Sequence, residues 1–405
     1  MAPTTLASLD PIMKEVYAPR IREQLNTETT ALKRITRSSA GVTNEVGGKY
    51  VTFPLHTRRN AGIGSRREGQ PLPAPGSQGY AAARVGLKYA YGSVQLTGQA
   101  ISLTDSDPKA FARALDQEVN GLKDDLLKDM NRQVYGSGNG AIGTVATTAA
   151  SGTTIAVTDA RLFQIGEVLD LITLPSTVAT AGLVVVGVDT DANTVTVGTA
   201  TAVTAGQILV RTGSGPDASG NLEITGLAAI VNNTGTLYNV DPTVEPTWKA
   251  VVDSNGGTAR ALTEGSMISM VDKIRTNGGS TTLMLTSLGV RKAYFNLLSQ
   301  TRSTVNSVDF TGGFKGLAFT TDQGDIPLVA DVDSPKGQIL YLNENNITYY
   351  HDEDWHWLDR SGSMWERKVD ASGTYDAWYA NMVEYHELGT DRRNTHGKLV
   401  DLLEA

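Results

Sequence analysis

An α+β fold with a small inserted all-β domain is what this sequence of 405 residues predicts, and three observations predict it. The apolar residues Phe111, Leu115, Val119, Leu122, Leu126, Met130 and Val134 trace one stripe of period 3.6, the mark of a single long helix. Between Ala141 and Ala218 the composition turns to Thr, Val, Ala and Gly, with no lysine and one aromatic, Phe163, in short alternating runs. After it, strand-like and helix-like segments alternate up to long strands near the C-terminus.

Taken in order, Asp10-Pro11 opens a short helical segment, Ile12 to Tyr17, and a second, Arg22 to Ile35, is charged and only weakly amphipathic. Such a helix needs a partner surface. Val42 to Gly48 is turn-rich and Lys49 to Leu55 reads as a strand. The loop that follows holds Arg58, Arg59, Arg66, Arg67 and the run Pro71-Leu-Pro-Ala-Pro-Gly76, too long for a tight hairpin and too polar for a core. Strand character returns at Ala82–Tyr91 and Ser93–Ile101. A mobile surface loop and an arm gripping carboxylates on another subunit both fit this pattern.

Asp107 can cap the long helix, Pro108 suits its first position and Gly136 ends it. At 1.5 Å per residue it is roughly 40 Å long. Gly136 to Gly140 reads as a flexible hinge. Strands are expected at Thr153–Val157, Val168–Thr173, Leu183–Val188, Thr194–Val197 and Ile208–Arg211, a barrel- or sandwich-like unit over 145–215. A helix from Thr263 to Arg275 would bury Met267, Ile268, Val271 and Ile274 and stop at Asn277-Gly278; another spans Ser287–Leu298 after a buried strand, Leu283–Leu285. Further strands are expected at Gly324–Val329, Gln338–Leu342, Ile347–Tyr350, Met364–Lys368 and Ala377–Glu387.

The net charge of −8 is mild for this length and argues against a dedicated nucleic-acid binder. Residues 1–90 carry 13 Lys/Arg against 6 Asp/Glu, so a basic N-terminal region precedes an acidic remainder. With no cysteine, disulfides, thiolate metal sites and cysteine nucleophiles are excluded. No apolar run reaches the ~18 residues of a membrane span. Met1 to Asp10 lacks the features of a secretory signal, so assembly in a cytoplasm is expected.

Several motifs fail on context. Gly138-Asn-Gly-Ala-Ile-Gly143 follows a helix rather than a strand, the reverse of a dinucleotide site. Asp189-Thr-Asp-Ala-Asn193 lacks the glycine and glutamate of a calcium loop and reads as a hairpin turn. Along a strand, His351-Asp-Glu-Asp-Trp-His-Trp357 puts His351, Glu353 and Trp355 on one face and Asp352, Asp354 and His356 on the other, so no face gathers a metal set without help from elsewhere. Trp355 and Trp357 are instead interface candidates. With no G-x-S-x-G elbow and no Walker loop, no catalytic, cofactor or metal residue is assigned, and no cofactor is expected.

The order of parts, and the stretches Tyr91 to Asp105, Gly316 to Phe319, Ile326 to Asp331, Gly337 to Tyr341 and Tyr385 to Arg393, resemble the major capsid proteins of tailed bacteriophages, the Hong Kong 97-type fold. The resemblance covers nearly all of the chain except 145–215. It implies an N-terminal arm (1–47), an extended loop (48–101), a peripheral domain with the spine helix (102–144), the inserted domain (145–215), a mostly axial domain (216–335) and axial and peripheral strands with a tail (336–405). It further implies hexamers and pentamers closing an icosahedral head around double-stranded DNA that is contacted non-specifically. A separate scaffolding protein, a portal and a decoration protein on the insertion are the expected partners. Some family members crosslink a loop lysine to a neighbour's asparagine; Lys49 and Lys88 are present here, and neither is matched to that site.

Outstretched parts that lack a surface of their own to rest on belong between copies of one chain, and many weak contacts closing together give a stable shell. Arg58, Arg59, Arg66, Arg67, Trp355 and Trp357 are the interface candidates. An encapsulin-like compartment with a protein cargo is the alternative, and a carbohydrate-binding role for 145–215 a third.

Overall fold

The computed structural model describes residues 28–39, 50–97, 99, 108–217, 220–302, 317–322, 324–359, 365–370 and 373–404. The expected helices at 12–17 and over most of 22–35, the turn at 42–48, Lys49, the Asp107 cap, the packing of Phe111 and Leu115, Gly316 and Met364 lie outside the described residues or side chains.

The long helix, α2, runs Pro108–Tyr135. It follows α1 (Thr30–Arg34), β1 (Thr36–Ser38), β2 (Tyr50–Arg58), β3 (Gly79–Gly86) and β4 (Lys88–Thr97). Burial along α2 is graded. Leu122 and Leu126 are half-covered, whereas Met130 through Tyr135 are buried all round. The half-covered part lies against β4 at Gly92, where a Cβ would stand 2.7 Å from Leu126 and 3.1 Å from Leu122. A larger residue there would have to displace the ends of these leucine side chains.

β2 and β3 form a two-stranded ribbon, whose inward residues Val51, Leu55, Ala83 and Val85 are buried on the chain's own body. β4 leaves the ribbon. The sequence places strand character here as the returning arm of the loop, but from Lys88 to Thr97 it pairs residue for residue with His386 to Ala377 of β19 (Gly373–Thr390). Alternation reports a strand and not its partner, and this partner is almost 300 positions away. The other edge of β19 carries β16 (Ile347–His351), β17 (His356–Trp357) and β18 (Glu366–Asp370), and β1 adds to β16 in parallel.

A second sheet has the order β11-β20-β15-β12-β14-β13, from β11 (Val251–Asp253), β12 (Leu283–Thr286), β13 (Ala318–Thr321), β14 (Gly324–Ala330), β15 (Ile339–Leu342) and β20 (Gly397–Leu399). Its central strands are buried on both faces, which explains the unbroken apolar runs LMLT and ILYL. Leu283, Leu285, Leu340 and Leu342 face the central core, with the end of α2 and the short helix α3 (Leu227–Ile230). Met284, Ile339 and Tyr341 face a second core under α4 (Glu264–Thr276) and α5 (Leu288–Arg302). Thr263 caps α4 in a capping box with Ser266, and Gly278 at φ +79° follows its end. The buried face of α4 is Met267, Met270, Val271 and Ile274; Ile268 is 46% exposed, one position off the stripe.

The third sheet, β5-β10-β7-β8-β9-β6, lies wholly within 141–211: β5 (Ala141–Thr144), β6 (Ala149–Ala156), β7 (Val168–Thr173), β8 (Thr177–Asp189), β9 (Thr194–Val203) and β10 (Ile208–Arg211). Among the described residues its main core, around Leu169, Leu183, Val195 and Phe163, draws on this segment alone. Asp189 Oδ1 accepts from the amides of Asp191 and Ala192, the hairpin turn expected there. The expected hinge is close-packed: a Cβ on Gly140 would lie 2.5 Å from the Ser214 carbonyl, so the strands entering and leaving this sheet run against each other.

Candidate assembly surfaces

Between β2 and β3 the chain leaves the body. Asn60 draws the neck together, donating Nδ2 to the Gly76 carbonyl at 3.0 Å and accepting from the Gly62 amide at 2.6 Å. A Cβ on Gly62 would meet the Gly76 nitrogen at 2.7 Å, so both strands of the neck need glycine. Beyond it Arg66 donates to the carbonyls of Ser65 and Pro71, and Gly69 at φ +75° turns the tip. The tip is a shaped loop held by backbone-directed bonds.

Its apolar residues face outward, Ile63 at 82% and Leu72 at 85% exposure. Among the described residues Arg59, Arg66 and Arg67 have no carboxylate partner. Arg58, at the end of β2, is 3.5 Å from Glu245 of its own chain and remains largely exposed. The two tryptophans lie elsewhere. Trp355 is half-buried against the central core, and Trp357 sits on β17 opposite Met382. Lys88 donates Nζ to the Asn221 carbonyl.

The opposite regime holds at the end of α2. Arg132 bonds Asp129 at 2.9 Å and Glu223 at 2.5 Å, and Arg211 of β10 reaches Asp129 at 2.5 Å and Glu167 at 2.6 Å. Burial opposes ionisation of Asp129, but the two guanidiniums outweigh it and hold the carboxyl well below its ordinary range. This network and Arg161, which donates to the carbonyls of Val332 and Ser334, fasten the third sheet to the body by charge and hydrogen bonds. A groove of about 1080 Å³ separates that sheet from α2 and β4. The charges of the network line it, already paired within the chain.

The described part of the N-terminal segment is anchored too. α1 has no cap of its own; its free amides at Ala31 and Leu32 donate to Asp331 at 2.9 Å and Asn131 at 3.1 Å. Arg34 pairs with Glu344 and Arg37 with the fully buried Glu384. Sequence reading missed Asp331, Asn131 and Glu384. The usable signal was polar residues inside otherwise apolar runs, such as Glu384 and His386 in β19.

Burial also shifts Glu387, His396 and Arg393 from their ordinary values. Burial pushes the Glu387 carboxyl up to about 8, although the amides of Thr225 and Leu388 donate to it. Burial pushes His396 down to about 3; its Nδ1 accepts from the Asn343 amide and its Nε2 meets Thr390 Oγ1. Arg393, completely buried, donates to four carbonyls at the end of α3 and in the following loop, and burial brings it down to about 10.

A shell subunit is the class these surfaces define: cores that are complete within one chain, and a shaped arm that ends in solvent. The SU10 major capsid protein family matches residues 207–402. The fold is that of a cyanophage A-1(L) capsid subunit, at TM-score 0.63 and 14% identity over 98% of this chain and 99% of that one. A structure from Mycobacterium phage Bobi aligns over all of both chains at TM-score 0.51 and 10% identity. No curated protein matches by sequence. The whole chain thus has the Hong Kong 97-type fold, and together with the family match over residues 207–402 this supports a tailed-phage major capsid protein. Among the described residues no helix is long and apolar enough to cross a membrane.

Proposed function

We propose that copies of this subunit assemble as hexamers and pentamers into an icosahedral head that encloses double-stranded DNA, and that the 59–78 tip is the part that grips a neighbour. The observation that carries this reading is the tip itself. A loop shaped by its own bonds has lost its conformational entropy before it meets a partner, which lowers the cost of association. It presents two large apolar side chains and three arginines whose carboxylate partners are to be found on another copy. Trp357, and the exposed edge of Trp355, supply a second contact near β17.

In this reading the α4–α5 layer and the second sheet lie toward the capsomer centre, and residues 145–215 face outward, where a decoration protein could bind. Assembly takes place in the host cytoplasm on a separate scaffolding protein, with a portal at one vertex. The subunit's work is mechanical and electrostatic, with no chemical step. The test is the double variant Arg66→Glu, Arg67→Glu, examined by circular dichroism and negative-stain electron microscopy. The expected result is a folded subunit that forms no shells; normal particles would refute the role of the tip. Nuclease-protected DNA in wild-type particles checks the contents, and a protein cargo in its place would argue for a compartment.

A further inference from the structure

The polar side chains around Glu384 have a use that assembly does not explain. A fully buried carboxylate requires a cation or several donors. Glu384 Oε1 accepts from Arg37 Nη2 at 2.7 Å, and Oε2 from the Tyr349 hydroxyl at 3.1 Å. His386, 1% exposed, sets its Nδ1 3.4 Å from Oε2, and this nitrogen has no hydrogen-bond partner among the described residues. On the adjacent strand, His351 is the register partner of His386, and its buried Nδ1 also has no hydrogen-bond partner. Asp354 Oδ1 stands 3.9 Å from that nitrogen and 3.3 Å from Arg37 Nη1. One ligand atom each from His351, Asp354 and Glu384 lies within 4.8 Å of the others.

We propose that His351, Asp354 and Glu384, with His386 adjoining, form a binding site for a divalent transition-metal ion of the zinc class, for which the Arg37 guanidinium is the alternative counterion. Two observations meet here: converging donors, and two buried imidazole nitrogens without a hydrogen-bond partner among the described residues. Imidazole and carboxylate together suit zinc, cobalt or nickel, whereas magnesium and calcium want six or more oxygens, which two carboxylates do not provide. Glu384 and His386 are fixed in the ladder of β19, while Asp354 lies in the turn between β16 and β17 with its side chain 76% exposed, free to close on an ion. Arg37 already bridges both carboxylates, and its charge would repel a metal ion, so the two exclude each other. The help from elsewhere that the 351–357 motif required is supplied by β19.

The full-length, tag-free subunit is titrated with Co²⁺, read by visible absorption, and with Zn²⁺, read by calorimetry. One ion per chain is expected, with the intense Co²⁺ bands of a low-coordinate nitrogen and oxygen site. His351→Ala and Asp354→Asn should each weaken binding about ten-fold or more. Arg37→Ala should tighten it, and His56→Ala should leave it unchanged. Asp354 is exposed, so its variant keeps the test open should the His351 variant misfold. Failure of Co²⁺ to bind, binding untouched by both variants, or equal affinity for Mg²⁺ would overturn the site. An unchanged affinity in Arg37→Ala would overturn the exchange with the guanidinium.

Discussion

The end of α2 and the tip of the 59–78 loop are both rich in charge, and their charges are placed in opposite ways. At the helix end every guanidinium has a carboxylate from its own chain; Arg132 is buried, and Asp129, Glu223 and Arg211 are partly so. At the loop tip three arginines have none among the described residues, and the apolar side chains beside them face solvent. The lesson is that charge content alone says nothing about role. In the proposed assembly, what separates stability from association is whether the partner charge lies in the same chain.

Breaking each half of this comparison separately is the most direct test. The largest effect is expected at the tip, where Arg66→Glu with Arg67→Glu should abolish shells while the melting temperature of the subunit stays within a degree or two of wild type. At the helix end Arg132→Met should do the reverse. It strands Glu223 and leaves Asp129 with Arg211 alone, so urea unfolding should show a loss of about 3–5 kcal/mol. Measuring it in the assembly-blocked background keeps association out of the result.

The buried titratable groups sharpen the comparison further, because they belong to the folded chain and not to its contacts. His396 is held neutral below its ordinary range, so its stabilising effect is whole above about 6.5 and is lost as pH falls toward about 3. Glu387 has the opposite sign. Its folded value is raised, so stability is lost as pH rises from about 4.5 toward about 8. Glu387→Gln should remove that second slope in a pH series of unfolding curves and exceed wild type above pH 8. A slope left intact would assign the loss to another group.

Two smaller effects complete the set. Gly92→Val would push β4 off Leu122 and Leu126 and should cost about 1–3 kcal/mol. Arg58→Ala removes an exposed pair with Glu245 and should cost the lone subunit less than ~1 kcal/mol. A much larger loss in shell yield than in subunit stability would add Arg58 to the gripping set.

Much of the architecture was legible because it is local. The stripe Leu122, Leu126, Met130, Val134 fixes a helix by its period, Thr263 and Gly278 mark the ends of another, and the Asp189–Asn193 turn follows from side-chain bonds to adjacent amides. The tip was readable for the same reason: prolines, glycines and arginines without apolar spacing cannot build a core. Ile268 was misplaced because a single position of rotation separates a buried from an exposed side of α4.

The cluster at Glu384 lay beyond this kind of reading. The residues 351–357 show potential ligands, but the groups that complete them come from β19 and from Arg37, some 315 positions earlier, and no local pattern records which strands will be neighbours. What the sequence determined by itself was the set of elements and their exposed or buried character, since periodicity and turn chemistry act over a few residues. The pairing of β4 with β19, the docking of the Ala31 and Leu32 amides on Asp331 and Asn131, and the meeting of His351 with Glu384 were decided only by the tertiary structure. Those contacts follow from which surfaces exclude water together, and that is a property of the whole folded chain.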